Sequence, residues 1–181
     1  MESFSDPRKV IVELSIAPDA YVVDFGAGSG AYTFAAAEAA SDGKVYAVEV
    51  QKELVSTLKR EAEKKHLGNV EVVWGNVEEH GGTKLKDESV DLVLICNVLF
   101  QAEDKNGVAH EAWRILRHDG RVAVIEWADS FGGLGPHVSQ LVKSPDARRM
   151  FENERFLYEK PIFDAGAHHH GFITKKRNRL L

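Results

Sequence analysis

The chain has 181 residues, 44% hydrophobic and 28% charged, with a formal net charge of −5 and a single cysteine, Cys96. This is the size and balance of one soluble domain with a sizeable core, and the acidic surplus argues against general nucleic-acid binding, which relies on a basic surface. One thiol rules out an internal disulfide and suits a reducing, cytoplasmic setting; apolar runs such as Leu92–Cys96 are too short to cross a bilayer, and the opening Met-Glu-Ser-Phe-Ser-Asp lacks the regions of a signal peptide.

In chain order, Asp6-Pro7 reads as a helix N-cap followed by a proline at the first helical position, and Val10, Ile11 and Leu14 give that helix one apolar face before Pro18 closes it. Near-continuous apolar or β-branched runs predict strands over 20–25, 44–49, 69–74, 90–96 and 120–127, as in a buried parallel sheet. Residues 52–66, 105–117 and 144–153 have helical periodicity and end signals, with Gly68-Asn69 and His118-Asp119-Gly120 as stops. Arg155–Asp164 and His168–Lys175 then read as two strands joined by Ala165-Gly166, an antiparallel hairpin added to the sheet edge. No repeat or linker divides this alternation, so one domain over 1–181 is expected, with 1–19 as its opening helix, 128–143 as a loop and 154–175 as a closing hairpin. The basic run Lys175-Lys176-Arg177-Asn178-Arg179 reads as a solvated chain end.

The chemistry gathers where the strands end. Val22–Phe25 leads into Gly26-Ala27-Gly28-Ser29-Gly30, a strand feeding a tight glycine turn that opens a helix. Glu49 ends the next strand at the distance where a ribose-binding carboxylate belongs, followed by Val50. Asp24 stands in front of the turn, and a carboxylate there would repel a pyrophosphate. The site therefore suits a ligand with an ammonium group better than a dinucleotide, and S-adenosyl-L-methionine carries an ammonium and a sulfonium but no phosphate. Asn76 and Val77 follow the third strand, placed for an adenine edge and face, and Asn97 follows the fourth, near a transferred group. All these strand ends open on the carboxyl edge, where open α/β sheets bind ligands.

These motifs resemble those of class I S-adenosylmethionine-dependent methyltransferases: Val22–Gly30, Val45–Glu49, Gly75-Asn76-Val77, Val90–Leu99 and Arg114–Gly120 with Arg121–Trp127. The resemblance covers nearly the whole chain and lies nearest the small bacterial and archaeal quinone-biosynthesis and arsenite branches. It implies a Rossmann-like seven-stranded α/β sheet of order 3-2-1-4-5-7-6, strand 7 antiparallel, with helices on both faces. It also implies that Asp24 with Gly26, Gly28 and Gly30 holds the methionine part, Glu49 the ribose, and Asn76 with Val77 the adenine, with Phe25, Ala27, Val50 and Asn97 also among the cofactor-binding residues. Asn76 is a departure, since many relatives have Asp there. The single Cys96 cannot supply the several thiols of the arsenite branch. The Asn-Pro-Pro-aromatic motif of amino-methylating nucleic-acid enzymes is missing, because Asn97 is followed by Val98-Leu99-Phe100.

For the acceptor, the loop after the fifth strand, Asp129–His137, offers glycines for a lid, Phe131 as a cover and His137 as the best single candidate base, with Glu126, Trp127 and Asp129 behind it. On an extended His168-His169-His170 at most His168 and His170 share a face, which makes a poor metal site, so no metal is expected; one of these histidines facing the acceptor is an alternative. Trp74 and Trp113 read as packing residues. The expected partner is a small-molecule acceptor rather than a membrane or nucleic acid, with the chain a monomer or homodimer. A protein or RNA acceptor, an NAD-binding protein (Gly26, Gly28 and Ala31 satisfy GxGxxA) and an inactive cofactor-binding module remain open alternatives.

Overall fold

The computed structural model describes residues 5–131, 133 and 135–177. Its core is one seven-stranded sheet of order β3-β2-β1-β4-β5-β7-β6. The strands are β1 (Tyr21–Phe25), β2 (Lys44–Glu49), β3 (Val70–Trp74), β4 (Val90–Cys96), β5 (Leu116–Trp127), β6 (Phe156–Pro161) and β7 (His169–Lys176). The first five run parallel, and β7 lies antiparallel to both β5 and β6. The order, the antiparallel strand and the hairpin agree with the expected fold.

Alternation along the strands divides the core into two layers. Val23, Phe25, Val93, Ile95, Val122 and Val124 face α4 (Lys105–Ile115) and α5 (Ser144–Asn153). Val22, Val45, Leu92, Leu94, Ala123 and Ile125 face α1 (Pro7–Leu14) and α2 (Ala31–Ala39), while Ala47 meets Leu58 and Ala62 of α3 (Lys52–Lys64). Five of the nine residues of α2 are buried, and the methyl-sized Ala35, Ala36 and Ala37 let it lie close against the sheet. The caps follow the sequence: Asp6 accepts from the Arg8 amide at 3.0 Å, and Asp104 from the Gly107 amide at 2.9 Å.

Two boundaries differ from expectation. The strand expected to start at 120 begins at Leu116, directly after α4, because Leu116 already takes an extended ψ of 136°. Leu116 pairs with Val90 and Arg121 with Leu92, so residues 117–120, which read as a helix stop, form an irregularity inside the ladder. The closing hairpin is shorter than expected: after β6 the chain makes a 3-10 turn at Phe163–Ala165, whose Phe163 and Asp164 amides donate to Glu13 of α1.

The parallel strands deliver the residues after Phe25, Glu49, Trp74, Cys96 and Trp127 to one edge. Because β7 runs the other way, it delivers its first residue: Trp127 pairs with His169.

Candidate active site

The glycine turn is built from left-handed backbone. Gly26, Gly28 and Gly30 have φ of 64°, 55° and 84°, which other residues enter at a cost. A side chain at Gly26 would press on Val98 at 3.0 Å, and one at Gly30 would strike Phe34 and Leu58 at 2.6–2.7 Å. The turn is fastened from the neighbouring strand. Glu49 Oε2 accepts from the Gly28 amide and Oε1 from the Gln51 amide, both at 2.9 Å. A carboxylate has about four acceptor sites, so capacity remains for ligand hydroxyls.

Two cavities open along the strand ends. The first, about 220 Å³, is bordered by Glu49, Val50, Asn76, Val77, Glu78 and Leu54 among others. The second, about 390 Å³, is bordered by Ser5, Tyr32, Cys96, Asn97, Trp127 and His169 together with the glycine turn. Gly26, Gly28 and Gln101 border both, so they form one cleft. Among the described residues this lining holds two carboxylates, Glu49 and Glu78, and no lysine or arginine. A pyrophosphate would find no counter-charge there, whereas ribose hydroxyls and an ammonium group would find acceptors.

The expected site residues divide accordingly. Gly26, Ala27, Gly28, Glu49, Val50, Asn76, Val77 and Asn97 line the cleft. The Asn76 amide is already engaged locally: Nδ2 donates to Glu79 at 3.0 Å and Oδ1 accepts from the Glu78 amide at 3.0 Å. Asn97 sits at φ 58°, with its Oδ1 buried and unpartnered, an acceptor of the kind an ammonium donor satisfies.

Three residues lie elsewhere. Asp24, expected to face the ligand, is 2% exposed and accepts from the Thr33 hydroxyl at 2.5 Å, beneath α2 and outside both cavities. Burial pushes its carboxyl up to about 7, opposed by the Thr33 hydrogen bonds and helped by the charge of Glu49. Phe25 points into the core on the α4 and α5 side. Gly30 is the N-cap of α2, wedged against Phe34 and Leu58 rather than open to a ligand.

The acceptor end also departs from expectation. His137 caps a 3-10 turn at Val138–Gln140; its Nδ1 lies 2.8 Å from the Ser139 hydroxyl, and it borders neither cavity. Phe131 stacks on His168 with ring centroids 4.2 Å apart, and Asp129 lies 2.9 Å from the same imidazole. His170 lies 2.8 Å from the Val142 carbonyl through Nε2. Glu126 is fully buried, accepting from the Val98 and Leu99 amides at 2.7 and 2.6 Å, and burial raises its carboxyl to about 7. It thereby fixes the turn carrying Asn97 and Gln101.

His169 lines the second cavity, packed on Trp127 with centroids 4.3 Å apart, and neither ring nitrogen has a partner. Strand alternation alone pairs His168 with His170 and leaves His169 aside. The signal that identifies His169 is the direction of β7, since only its first residue reaches the ligand edge. Among the described residues no group of three or more His, Cys, Asp or Glu is arranged to hold a metal, and no helix is long and apolar enough to cross a membrane.

The tryptophans also separate. Trp113 packs edge-on against Phe156, but Trp74 is 48% exposed on edge strand β3, flanked by the Lys52 and Lys84 ammonium groups at 4.8 and 5.0 Å from its rings.

The fold and cleft define a methyltransferase of the Rossmann-like class. Residues 16–168 match the family model described as "Methyltransferase domain", and the chain belongs to that family. An S-adenosylmethionine-dependent methyltransferase of Aquifex aeolicus superposes with a TM-score of 0.85 at 23% identity, covering 95% of this chain and 90% of that one. A candidate type 11 methyltransferase of Sulfolobus solfataricus gives 0.77 at 29% identity over 97% and 95%. The arsenite methyltransferase of Halobacterium salinarum is 35% identical over 111 residues, 61% of this chain and 28% of that protein. The chain thus spans under a third of the length of the curated relatives it matches. S-adenosylmethionine is the cofactor of this domain.

Proposed function

We propose that the chain transfers the methyl group of S-adenosylmethionine to a small-molecule acceptor, releasing S-adenosylhomocysteine, in the cytoplasm and as a monomer or homodimer. The observation that carries this reading is the single cleft whose two cavities share Gly26, Gly28 and Gln101, acidic at one end and uncharged at the other. The donor would span the cleft: in the acidic cavity Val77 and Asn76 border the adenine and Glu49 accepts from ribose hydroxyls, while Asn97 Oδ1 of the second cavity, with the shared glycine turn, takes the ammonium end. Asp24 acts one layer behind, holding Thr33 and the start of α2 in place. Once bound, the cofactor supplies an already activated methyl carbon, so the protein's task is alignment and exclusion of water. The second cavity, about 390 Å³, has room for a small acceptor. So does the likeness to an arsenite methyltransferase, although one cysteine in 181 residues cannot form a multi-thiol arsenic site.

Calorimetry with S-adenosylmethionine, S-adenosylhomocysteine and NAD tests the donor site; binding of NAD alone would overturn the assignment. A labelled-methyl screen over small molecules, protein and RNA tests the acceptor, and transfer only to protein or RNA would replace the small-molecule reading.

A further inference from the structure

An adenine ring carries one exocyclic amino group, and a site that reads the base needs an acceptor for its N–H. Asn76 borders the base in the reading above, but its side chain is committed to its own turn. Oδ1 accepts from the Glu78 amide and Nδ2 donates to Glu79, both at 3.0 Å. The backbone closes the same turn, with the Glu79 amide donating to the Asn76 carbonyl at 3.3 Å and the Gly82 amide to the Glu79 carbonyl at 2.9 Å. Drawing Asn76 towards a ligand would break these bonds.

Besides Asn76, the acidic cavity is lined by four side chains with an acceptor oxygen: Glu49, Gln51, Glu78 and Gln101. Glu49 already holds the Gly28 and Gln51 amides, and its remaining capacity serves the ribose. Gln51 follows at that same end. Gln101 borders the second cavity too, which places it at the junction, and its Nε2 donates to the Asn97 carbonyl at 3.0 Å.

Glu78 stands apart from these three. It follows Val77 directly, is half-buried, and borders the acidic cavity but not the second. Its Oε2 accepts from the Asp104 amide at 2.6 Å, which ties it to the start of α4, while Oε1 holds no hydrogen bond among the described residues. The support is tight: a side chain at Gly107 of α4 would come within 2.2 Å of the Glu78 carbonyl. One oxygen therefore fixes the carboxylate and the other is left to a ligand, an acceptor organised before binding. No lysine or arginine lines the cavity to compete for it.

We propose that Glu78 is the residue that reads the cofactor's base: its Oε1 accepts from the 6-amino group of adenine, and Asn76 shapes the turn that presents it. This rests on the donor site described above. A carboxylate oxygen only accepts, so a purine without the amino group leaves it facing no donor at that position.

The test is calorimetry on the whole chain, comparing S-adenosylhomocysteine with its analogue in which hydrogen replaces the 6-amino group. The wild type should bind the amino form at least about tenfold more tightly. Glu78→Ala should bring the two ligands within about threefold of each other. Glu78→Gln, with one acceptor oxygen to share between Asp104 and the base, should fall between, and it serves alone if Glu78→Ala does not fold. Loosening of α4 would weaken both ligands together, so the ratio isolates the contact with the base. Asn76→Ala should weaken both and keep the wild-type ratio within about threefold. A ratio that survives both Glu78 variants overturns the proposal, and one that collapses only in Asn76→Ala returns the base contact to Asn76. Equal binding of the two ligands by the wild type overturns the role of Glu78 and leaves the donor site standing, whereas failure to bind S-adenosylhomocysteine at all overturns the donor site itself.

Discussion

Glu49 Oε2 accepts the Gly28 amide hydrogen at 2.9 Å, so the carboxylate ending β2 fastens the glycine turn that ends β1. One side chain therefore sets the shape of the turn and offers the remaining acceptor sites to a ribose. Glu49→Ala should weaken S-adenosylmethionine binding by about 1–3 kcal/mol, roughly 5- to 150-fold, measured by calorimetry. Glu49→Gln keeps acceptance on one oxygen only and should fall between.

Asp24 makes folding stability depend on pH. Its carboxyl is raised from 3.8 to about 7 by burial, so between those values the folded chain holds a proton that the unfolded chain has released. Stability from this group is therefore full below about pH 4, declines as pH rises from there to about 7, and is lost above it. Asp24→Asn mimics the protonated form and can still accept from Thr33. The gain of Asp24→Asn over wild type should grow from about pH 4 to about pH 7, towards a few kcal/mol, and level off above that; a constant difference in chemical denaturation would refute it.

Gly30→Ala adds a methyl group within 2.6–2.7 Å of Phe34 and Leu58 at a φ of 84°. Overpacking and left-handed strain act together, and a loss of about 1–3 kcal/mol in thermal or urea unfolding is expected. Gly28→Ala meets only a backbone oxygen at 3.8 Å, so its folding cost should be smaller, confined to its φ of 55°.

His137→Ala removes the cap of the 3-10 turn at Val138–Gln140. Since His137 borders neither cavity, methyl transfer should stay within about twofold of wild type, the loss being at most about 1 kcal/mol of local stability. A hundredfold fall in rate would restore it as a base.

Glu126→Ala removes the acceptor of the Val98 and Leu99 amides and leaves both unpaired in the interior. Cofactor affinity should fall although Glu126 borders neither cavity, because Asn97 and Gln101 lose their support; Glu126→Gln, which keeps an acceptor oxygen, should recover most of it.

Local pattern was enough for the parallel strands, the glycine turn, Glu49, Val77 and Asn97, since each depends on where a strand ends and which residues come next. Depth was not legible in the same way. Whether Asp24 meets a ligand or Thr33 depends on where α2 comes to rest, and an acid two residues before a glycine reads the same in either case. Trp74 reads as a packing residue, yet β3 is the sheet edge, where one face stays wet. The choice among three consecutive histidines needed the register of β7 against β5, which pairs residues about 40 positions apart.

That register also has a consequence for synthesis. β7 is the last described strand of the chain, yet it sits inside the sheet between β5 and β6. The donor cavity is lined by residues up to Ala102 and its turn is held by Glu126 of β5, so it can assemble before β7 is made. The wall bearing His169 exists only after the final strand has threaded between its neighbours. A nascent or truncated chain would hold the donor without a chamber for the acceptor, so loading can precede catalytic competence.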